Sequence, residues 1–234
     1  MIEPPGISPP HYKTFIVNYL GVVPYEVALK EQERQRQLRA EDKMPDTVLL
    51  LQHPHVYTVG RFRGEEDIIA RAKEIPVYHT NRGGGITYHG PGQLVGYPIL
   101  DLKANGLGVR EYIWRLEEVI IRLLGDFHIE AQRHSQYPGG VWASGGKICS
   151  IGINVSRHIT THGFALNVNN DLKYFENIRP CGLKGTSMTS MAEILGHTVP
   201  FDMVISEWIN WFSAIFALKP ATGGAWPVEV SAIA

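Results

Sequence analysis

Residues 81–102 read "NRGGGITYHGPGQLVGYPILDL", two strand-like runs separated by glycine turns. Short runs of β-branched and aromatic residues with glycine-rich boundaries are typical of β-strands. The same pattern occurs upstream in "TVLLLQH" (47–53), "VYTVGR" (56–61) and "VYHT" (77–80), and it returns three times between residues 140 and 168. Strands in succession with few helical crossovers argue against a doubly wound parallel sheet. We therefore predict an α/β (α+β) fold with a mixed, largely antiparallel sheet and helices packed on it.

Four segments have helical patterns. Residues 25–43 contain strong helix formers and are very polar, so we expect a surface helix. Residues 109–124 have an apolar stripe at helical spacing, typical of a helix packed on a sheet. Ser190 begins a short helix with a capping box, and residues 201–218 predict another helix. The apolar stripe of the second helix comprises Val109, Ile113, Leu116, Val119, Ile120, Leu123 and Leu124.

Length and composition limit the classes of function. The 234 residues suit one domain, predicted at 14–218 between an irregular arm (1–13) and a C-terminal tail (219–234). A net charge of -1 gives no overall basic field for nucleic acid or an anionic membrane. We find no secretory signal and no run of about 18 apolar residues, so we expect a cytosolic protein that does not span a membrane. Two cysteines cannot form a structural zinc site without help from His or carboxylate ligands, and we expect no metal.

The glycine-rich loop and the strand after it, Arg82 to His89, are the strongest local signal. Successive glycines let a backbone approach a ligand closely and present its N–H groups to an oxygen atom. The loop has neither the Lys-Ser/Thr ending of a Walker loop nor the Rossmann spacing. Two tight turns in a hairpin would explain the glycines equally well.

A lysine and two cysteines are candidates for chemistry. Lys147 enters an apolar strand after Gly-Gly, and it is either a strand-edge lysine that prevents aggregation or a lysine held in a pocket for proton transfer. Cys149 lies within the strand pattern and is expected to fill the core. Cys181 lies in a Pro-Cys-Gly turn, where a nearby ammonium group would favour the thiolate. Lys147 and Lys184 are both candidates for that neighbour, and we expect no Cys149–Cys181 disulfide in a reducing cytosol.

Five segments, in this order, resemble the lipoyl(octanoyl) transferases. "QHPHVYTVGR" (52–61) and "RGGGITYHGPGQLVGYPILDL" (82–102) are similar to two signatures of that family. "GGKICSIGI" (145–153) matches its lysine segment, "HGFALNV" (162–168) its acyl-site strand and "RPCG" (179–182) its nucleophile turn. The resemblance implies the fold of the biotin and lipoate protein ligases.

The resemblance also implies roles for individual residues. Cys181 matches the nucleophile, and Lys147 matches the lysine that activates the thiol and takes part in proton transfer. The positions that match substrate-binding residues are Arg82, Gly83, Gly84, Gly85, Ile86, Thr87, Tyr88, His89, Ser150, Ile151, Gly152, Gly163, Phe164 and Ala165. The implied reaction moves an octanoyl group from the phosphopantetheine of acyl carrier protein to Cys181, and then to a lysine of a lipoyl domain. The implied acceptors are the E2 subunits of 2-oxoacid dehydrogenases and the glycine cleavage H protein, with no ATP or metal required.

Two other classes of function remain open from the residues. An ATP-dependent lipoate or biotin ligase of the same fold would leave Cys181 without a role. A non-catalytic module that binds carrier or lipoyl domains would form no covalent adduct. Because carrier proteins are acidic, a basic surface is expected near the site, for which Arg61, Arg63, Arg71 and Lys73 are candidates, although each could equally belong to a solvated charged face.

Overall fold

The computed structural model describes residues 13–62, 65–70, 74–135, 137, 139–179 and 187–222. Within these residues the strands are β1 (Lys13–Val22), β2 (Asp46–Gln52), β3 (Val56–Val59), β4 (Val77–His79), β5 (Ile86–His89), β6 (Gln93–Ile99), β7 (Ala131–Gln132), β8 (Gly140–Ala143), β9 (Gly146–Ser156), β10 (Ile159–Asn167) and β11 (Leu218–Thr222). The helices are α1 (Tyr25–Ala40), α2 (Val109–Asp126), α3 (Met191–Leu195) and α4 (Phe201–Phe216), with short 3-10 helices at Glu65–Asp67 and Leu172–Asn177.

Eight of these strands form one mixed sheet, in the order β11-β1-β2-β6-β10-β9-β8-β7, and β4, β3 and β5 form a smaller one. In the large sheet β1 is parallel to β2 and β11, and the other neighbouring pairs are antiparallel. A parallel pair needs a long crossover, which α1 supplies between β1 and β2. The predicted mixed, largely antiparallel sheet is confirmed.

Helices cover both faces of the large sheet. Leu50 of β2 belongs to the core shared with α2 and α4, whereas Leu49 and Leu51 belong to the core on the α1 side. Burial on both faces explains why β2 is apolar without alternation. The small sheet lies on the α1 side too, because the Tyr25 ring of α1 stacks on His89 of β5 with ring centroids 6.1 Å apart.

The helices α2 and α3 follow their sequence patterns closely. The stripe of α2 is buried from Leu116 onward, whereas Ile113 is half-buried and Val109 is 45% exposed. Ser190 Oγ accepts a hydrogen bond from the Glu193 N–H, and Gly196 ends α3 with a φ of 75°. The predicted cap and closing glycine are both confirmed.

The prediction that the first helix is a surface helix is wrong for one of its faces. Glu31, Gln32 and Gln35 are buried against the sheet, and the helix ends at Ala40 rather than at residue 43. These side chains are held by polar contacts, since Gln35 Nε2 donates to Glu31 Oε1 at 2.8 Å. Gln32 Oε1 accepts from the main-chain N–H of His162 in β10 at 2.7 Å. A helix can therefore be buried through hydrogen bonds that its hydrophobic pattern does not reveal.

The predicted irregular tail from residue 219 is wrong for its first four residues. Leu218–Thr222 forms β11, which pairs with β1 from Lys13 to Val17. Its proline is tolerated because the strand lies at the sheet edge. Lys13 is likewise already in β1, whereas residues 1–12 and 223–234 lie outside the described residues.

Candidate active site

A cleft opens between the two sheets, beside Tyr25 at the start of α1. One wall is β5 with the glycine loop before it, and the other is formed by β9 and β10. The space between the walls, including the open mouth, is about 490 Å³.

The cleft brings together three segments that are far apart in sequence. Thirteen of the predicted site residues line it: Arg82, Gly83, Gly84, Ile86, Thr87, His89, Lys147, Ser150, Ile151, Gly152, Gly163, Phe164 and Ala165. Tyr88 instead packs in the core of the small sheet, where its hydroxyl lies 2.7 Å from His55 Nδ1. Gly85 accepts a hydrogen bond from the Gly60 N–H outside the cleft at 3.1 Å. Cys181 lies outside the described residues.

A β-bulge in β9 directs Lys147 into the cleft. Val141 of β8 pairs with Cys149, but the next residue, Trp142, pairs with Lys147, so Ile148 is an extra residue in β9. Regular alternation would place Lys147 on the same face as Cys149, which is in the core beneath α2 and α4. The bulge buries Ile148 together with Cys149 and turns Lys147 to the opposite face.

Lys147 is nearly inaccessible, and its main chain is hydrogen-bonded to the chain that follows residues 180–186. It is 3% exposed, and its ammonium nitrogen lies 5.1 Å from the centre of the Trp142 ring. Its main-chain N–H donates to Ser187 O at 2.9 Å, and its carbonyl accepts from Thr189 N–H at 3.1 Å. Lys147 is therefore buried in an interior strand and is not a strand-edge lysine, whereas its part in proton transfer stays a prediction.

The chain that precedes residues 180–186 is attached to the end of the 3-10 helix Glu65–Asp67, beside the small sheet. Arg179 N–H donates to Asp67 O at 2.8 Å, and Ile178 pairs with Ile68. Residues 180–186 therefore connect a segment that ends at Arg179, beside the small sheet, to a segment that begins at Ser187 and is hydrogen-bonded to Lys147. Lys184 lies in this segment, outside the described residues, as Cys181 does.

The arginine of the glycine loop is occupied in holding that loop in place. Arg82 donates to Thr58 O at 2.5 Å, to Thr58 Oγ1 at 2.8 Å and to Gly83 O at 3.0 Å. The loop also crosses β9 very closely, since a Cβ on Gly152 would lie 2.8 Å from Gly83 O. Glycine is needed at residue 152 because the two backbones could not otherwise meet. A contact between Arg82 and substrate stays a prediction.

Two buried histidines line or support the cleft in their neutral form. His53 Nδ1 lies 2.7 Å from Val23 O and must donate to it, so Nε2 accepts from the Tyr97 hydroxyl at 2.7 Å. His89 Nδ1 likewise contacts Gln93 Oε1 at 2.9 Å. Burial lowers the pKa of His53 to about 4 and lowers the pKa of His89 well below its usual range. Both rings therefore act as hydrogen-bonding groups rather than as cations at neutral pH.

His162 is a cleft residue that the sequence reasoning missed, together with Tyr25 and Tyr97. Its φ of 57° is in the left-handed region, where non-glycine residues are uncommon. Its Nε2 lies 2.7 Å from Asn81 Oδ1, and burial lowers its pKa to about 3, aided by the charges of Arg82 and Arg61. Its position directly before the predicted Gly163 was an available signal, whereas Tyr25 lies far away in sequence.

Cys149 is confirmed as a core residue. It has no exposed surface, and burial raises the pKa of its thiol to about 12 despite the nearby charge of Lys147. A thiol in that state supplies very little thiolate at neutral pH.

Other predictions concern the surface and bound groups. Arg61 is exposed beside the glycine loop, whereas Arg63, Arg71 and Lys73 lie outside the described residues. The described ranges contain no group of three or more His, Cys, Asp or Glu side chains arranged to hold a metal. No described helix is both long and apolar enough to cross a membrane.

Comparison with known proteins identifies the class. The family model of the lipoyl protein ligase A/B catalytic domain matches residues 24–213. The octanoyltransferase of Caldicellulosiruptor saccharolyticus is 48% identical over 210 residues, covering 87% of this chain and 89% of the relative. The octanoyltransferase of Desulforamulus reducens is 41% identical over 214 residues, covering 89% and 93%. The chain belongs to the lipoyl protein ligase A/B catalytic domain family and, within it, to the octanoyltransferases.

Solved structures of low sequence identity share the fold. A bipartite lipoate protein ligase from Thermoplasma acidophilum superposes with a TM-score of 0.73 at 14% identity, covering 93% of this chain and 89% of that one. The biotin protein ligase from Aquifex aeolicus gives a TM-score of 0.51 at 16% identity, covering 86% and 69%. The predicted ligase-like fold is confirmed.

Proposed function

We propose that this protein transfers an octanoyl group from acyl carrier protein to lipoyl domains, with Cys181 as the nucleophile. The observation that carries the proposal is the placement of Lys147. Its buried side chain faces the cleft, and its backbone is hydrogen-bonded to the chain just after the Cys181 turn. The octanoyltransferase relatives, at 41–48% identity over most of their length, support the same reaction.

The first step makes a thioester on the enzyme. The Cys181 sulfur attacks the carbonyl carbon of the octanoyl thioester, and the bond from that carbon to the phosphopantetheine sulfur breaks. The departing thiolate takes up the proton that Cys181 lost. Lys147 in its ammonium form favours the attacking thiolate and can pass this proton. Thioester is exchanged for thioester, so the reaction needs no ATP.

The second step makes the amide. The neutral ε-amine of the acceptor lysine attacks the acyl-enzyme carbonyl, and the bond to the Cys181 sulfur breaks. The attacking nitrogen loses one proton, and the released thiolate of Cys181 gains one, so Lys147 needs only to relay it. We propose lipoyl domains of the E2 subunits and of the glycine cleavage H protein as acceptors, in the cytosol, with no metal cofactor.

The cleft is suited to an apolar acyl chain. Ile86, Phe164 and Ala165 present aliphatic or aromatic surface to it, and Tyr25 and Tyr97 add ring surface. Each methylene removed from water contributes about 0.8 kcal/mol, so an eight-carbon chain could contribute on the order of 5 kcal/mol. The carbonyl end of the chain would lie toward Lys147.

Intact-protein mass spectrometry tests the proposal. The wild type is mixed with octanoyl-acyl carrier protein without ATP, beside Cys181→Ala and the matched variant Cys149→Ala. We expect an octanoyl adduct on the wild type and on Cys149→Ala that hydroxylamine removes and that passes to a lipoyl domain. Cys181→Ala should form no adduct.

Two results would contradict this mechanism in different ways. A labile adduct retained by Cys181→Ala and lost by Cys149→Ala would move the nucleophile to the buried thiol. Transfer that requires ATP and free octanoate, with no adduct on any variant, would instead indicate a ligase.

A further inference from the structure

The cleft-facing side of β8 lies directly beneath the Lys147 side chain. Gly140 pairs with Ser150, and Trp142 pairs with Lys147 across the bulge. Directly paired residues of neighbouring strands point to the same face, so Gly140 and Trp142 share the cleft face with Lys147. We call Gly140 and Trp142 the lysine platform.

Gly140 leaves room for the lysine stem. A Cβ at this residue would lie 2.6 Å from Lys147 Cε, which is closer than two non-bonded carbon atoms can approach each other. The same Cβ would lie 3.0 Å from the Trp142 ring. Because glycine has no side chain, the methylene stem of Lys147 can pass over Gly140 and reach the Trp142 ring.

The Trp142 ring lies against the ammonium group of Lys147. The distance of 5.1 Å from Lys147 Nζ to the ring centre is within cation–π range. The ring is itself held from another side by His134, with ring centroids 5.1 Å apart. Trp142 is 8% exposed, so the contact is largely shielded from water and is stronger than a surface pair.

A buried carboxylate fixes the backbone of the platform. Glu117 of α2 is 5% exposed and accepts from the N–H groups of Gly139 at 2.9 Å and Gly140 at 3.3 Å. Its other oxygen accepts from Arg133 Nε at 3.0 Å. The start of β8 is thereby anchored to α2, which prevents Gly140 from moving away from Lys147.

We propose that Trp142 is a positioning residue for Lys147, whose ammonium group it holds against the face of its ring. This inference rests on the proposed function, because it concerns the same cysteine–lysine pair. It adds a residue that the motifs do not indicate, since a tryptophan in an apolar strand is an ordinary core residue. Removing the ring face should weaken the effect of Lys147 on the thiol without removing the lysine.

The rate at which iodoacetamide alkylates Cys181 at pH 7 tests the platform without any acyl donor. The thiolate is the reacting form, and Cys149 has no exposed surface to compete. The variants are Trp142→Leu, Trp142→Phe, Lys147→Met and the double variant Trp142→Leu/Lys147→Met. Trp114→Leu is the matched control, because Trp114 makes its cation–π contact with Arg133 on the outer side of α2.

We expect Trp142→Leu to slow alkylation roughly 2- to 30-fold, the range that cation–π contacts span between exposed and desolvated sites. Trp142→Phe should recover most of the rate because it restores an aromatic face. Trp114→Leu should react like the wild type. In the Lys147→Met background, Trp142→Leu should have no further effect, since there is no ammonium left to position.

Each alternative outcome is distinct. Equal losses in Trp142→Leu and Trp142→Phe, or an undiminished effect of Trp142→Leu in the Lys147→Met background, would show a packing role and overturn the platform. Wild-type alkylation in Lys147→Met would overturn the cysteine–lysine pair itself. Failure of the wild type to form an octanoyl adduct, with the alkylation pattern as expected, would overturn the proposed reaction and leave the platform in place.

Discussion

Mild acid should destabilise this protein strongly, because its buried histidines are held in the neutral form. Burial lowers the pKa of His53 to about 4 and that of His162 to about 3, whereas an unfolded histidine has a pKa of about 6.5. The unfolded chain therefore binds more protons than the folded chain between those values. The contribution of these neutral histidines to the free energy of unfolding is fully present above pH 6.5, and it is lost as the pH falls toward their pKa values in the folded protein.

The size of the effect follows from proton linkage. Between pH 7 and pH 5 an unfolded histidine gains most of its proton while His53 and His162 stay largely neutral, which costs about 2 kcal/mol for each. The two histidines together lower the free energy of unfolding by about 4 kcal/mol, which is a large part of the 5–15 kcal/mol typical of a domain. His89 acts in the same direction, because its pKa is also lowered by burial.

Urea unfolding at pH 7, 6 and 5, followed by far-ultraviolet circular dichroism, measures this loss. His162→Asn should reduce the difference in unfolding free energy between pH 7 and pH 5 by about 2 kcal/mol, since one titrating group is removed. Asparagine tolerates the left-handed backbone of residue 162. His197→Asn, at an exposed histidine, should leave the difference unchanged. Equal unfolding free energies at pH 7 and pH 5 in the wild type would refute the reasoning.

Three further substitutions test the geometry of the cleft. Gly140→Ala should lower the free energy of unfolding by about 1–3 kcal/mol through overpacking, and it should slow adduct formation because it displaces Lys147. Gly125→Ala, where a Cβ on α2 would meet open space, should have neither effect. Equal rates of adduct formation in the two variants would contradict the role of Gly140. Arg82→Lys should lower the free energy of unfolding by about 1–3 kcal/mol because a lysine cannot reproduce the guanidinium fork, and an unchanged urea midpoint would contradict this. Ser190→Ala should lose about 1 kcal/mol of stability through the helix cap, measured in the same way, and no loss would show that the cap is redundant.

Much of the fold could be predicted from local patterns because most elements follow them. The strands between residues 47 and 102 alternate with glycine turns, and α2 has a clear apolar stripe. This agreement is expected where a residue's environment is set by its neighbours in sequence. The resemblance to the lipoyl(octanoyl) transferases, and not a local pattern, implied that the lysine segment and the acyl-site strand contact substrate, and the fold brings both to one cleft with the glycine loop.

The features that were missed depend on contacts between one element of the fold and another. Strand alternation alone places Lys147 on the core side, and only pairing with β8 shows the bulge that reverses it. The polar face of α1 has no hydrophobic signal, yet Gln32 is buried because it satisfies the backbone of His162. Tyr25 reaches the cleft through the crossover between β1 and β2. Gln32 and His162 are 130 residues apart in sequence, so no local pattern relates them.

The neutral histidines give the cleft its electrostatic character. With His89 and His162 uncharged, Arg82 and Lys147 carry the formal charges among the described lining residues, and no described lining residue is a carboxylate. Both proposed steps pass through a tetrahedral intermediate with a negative oxygen and use an anionic sulfur. Fixed positive charge acts more strongly on such anions in a buried site than in water. Burial of the imidazoles therefore makes the fold sensitive to acid, and it also confines the formal charge of the described cleft lining to Arg82 and Lys147.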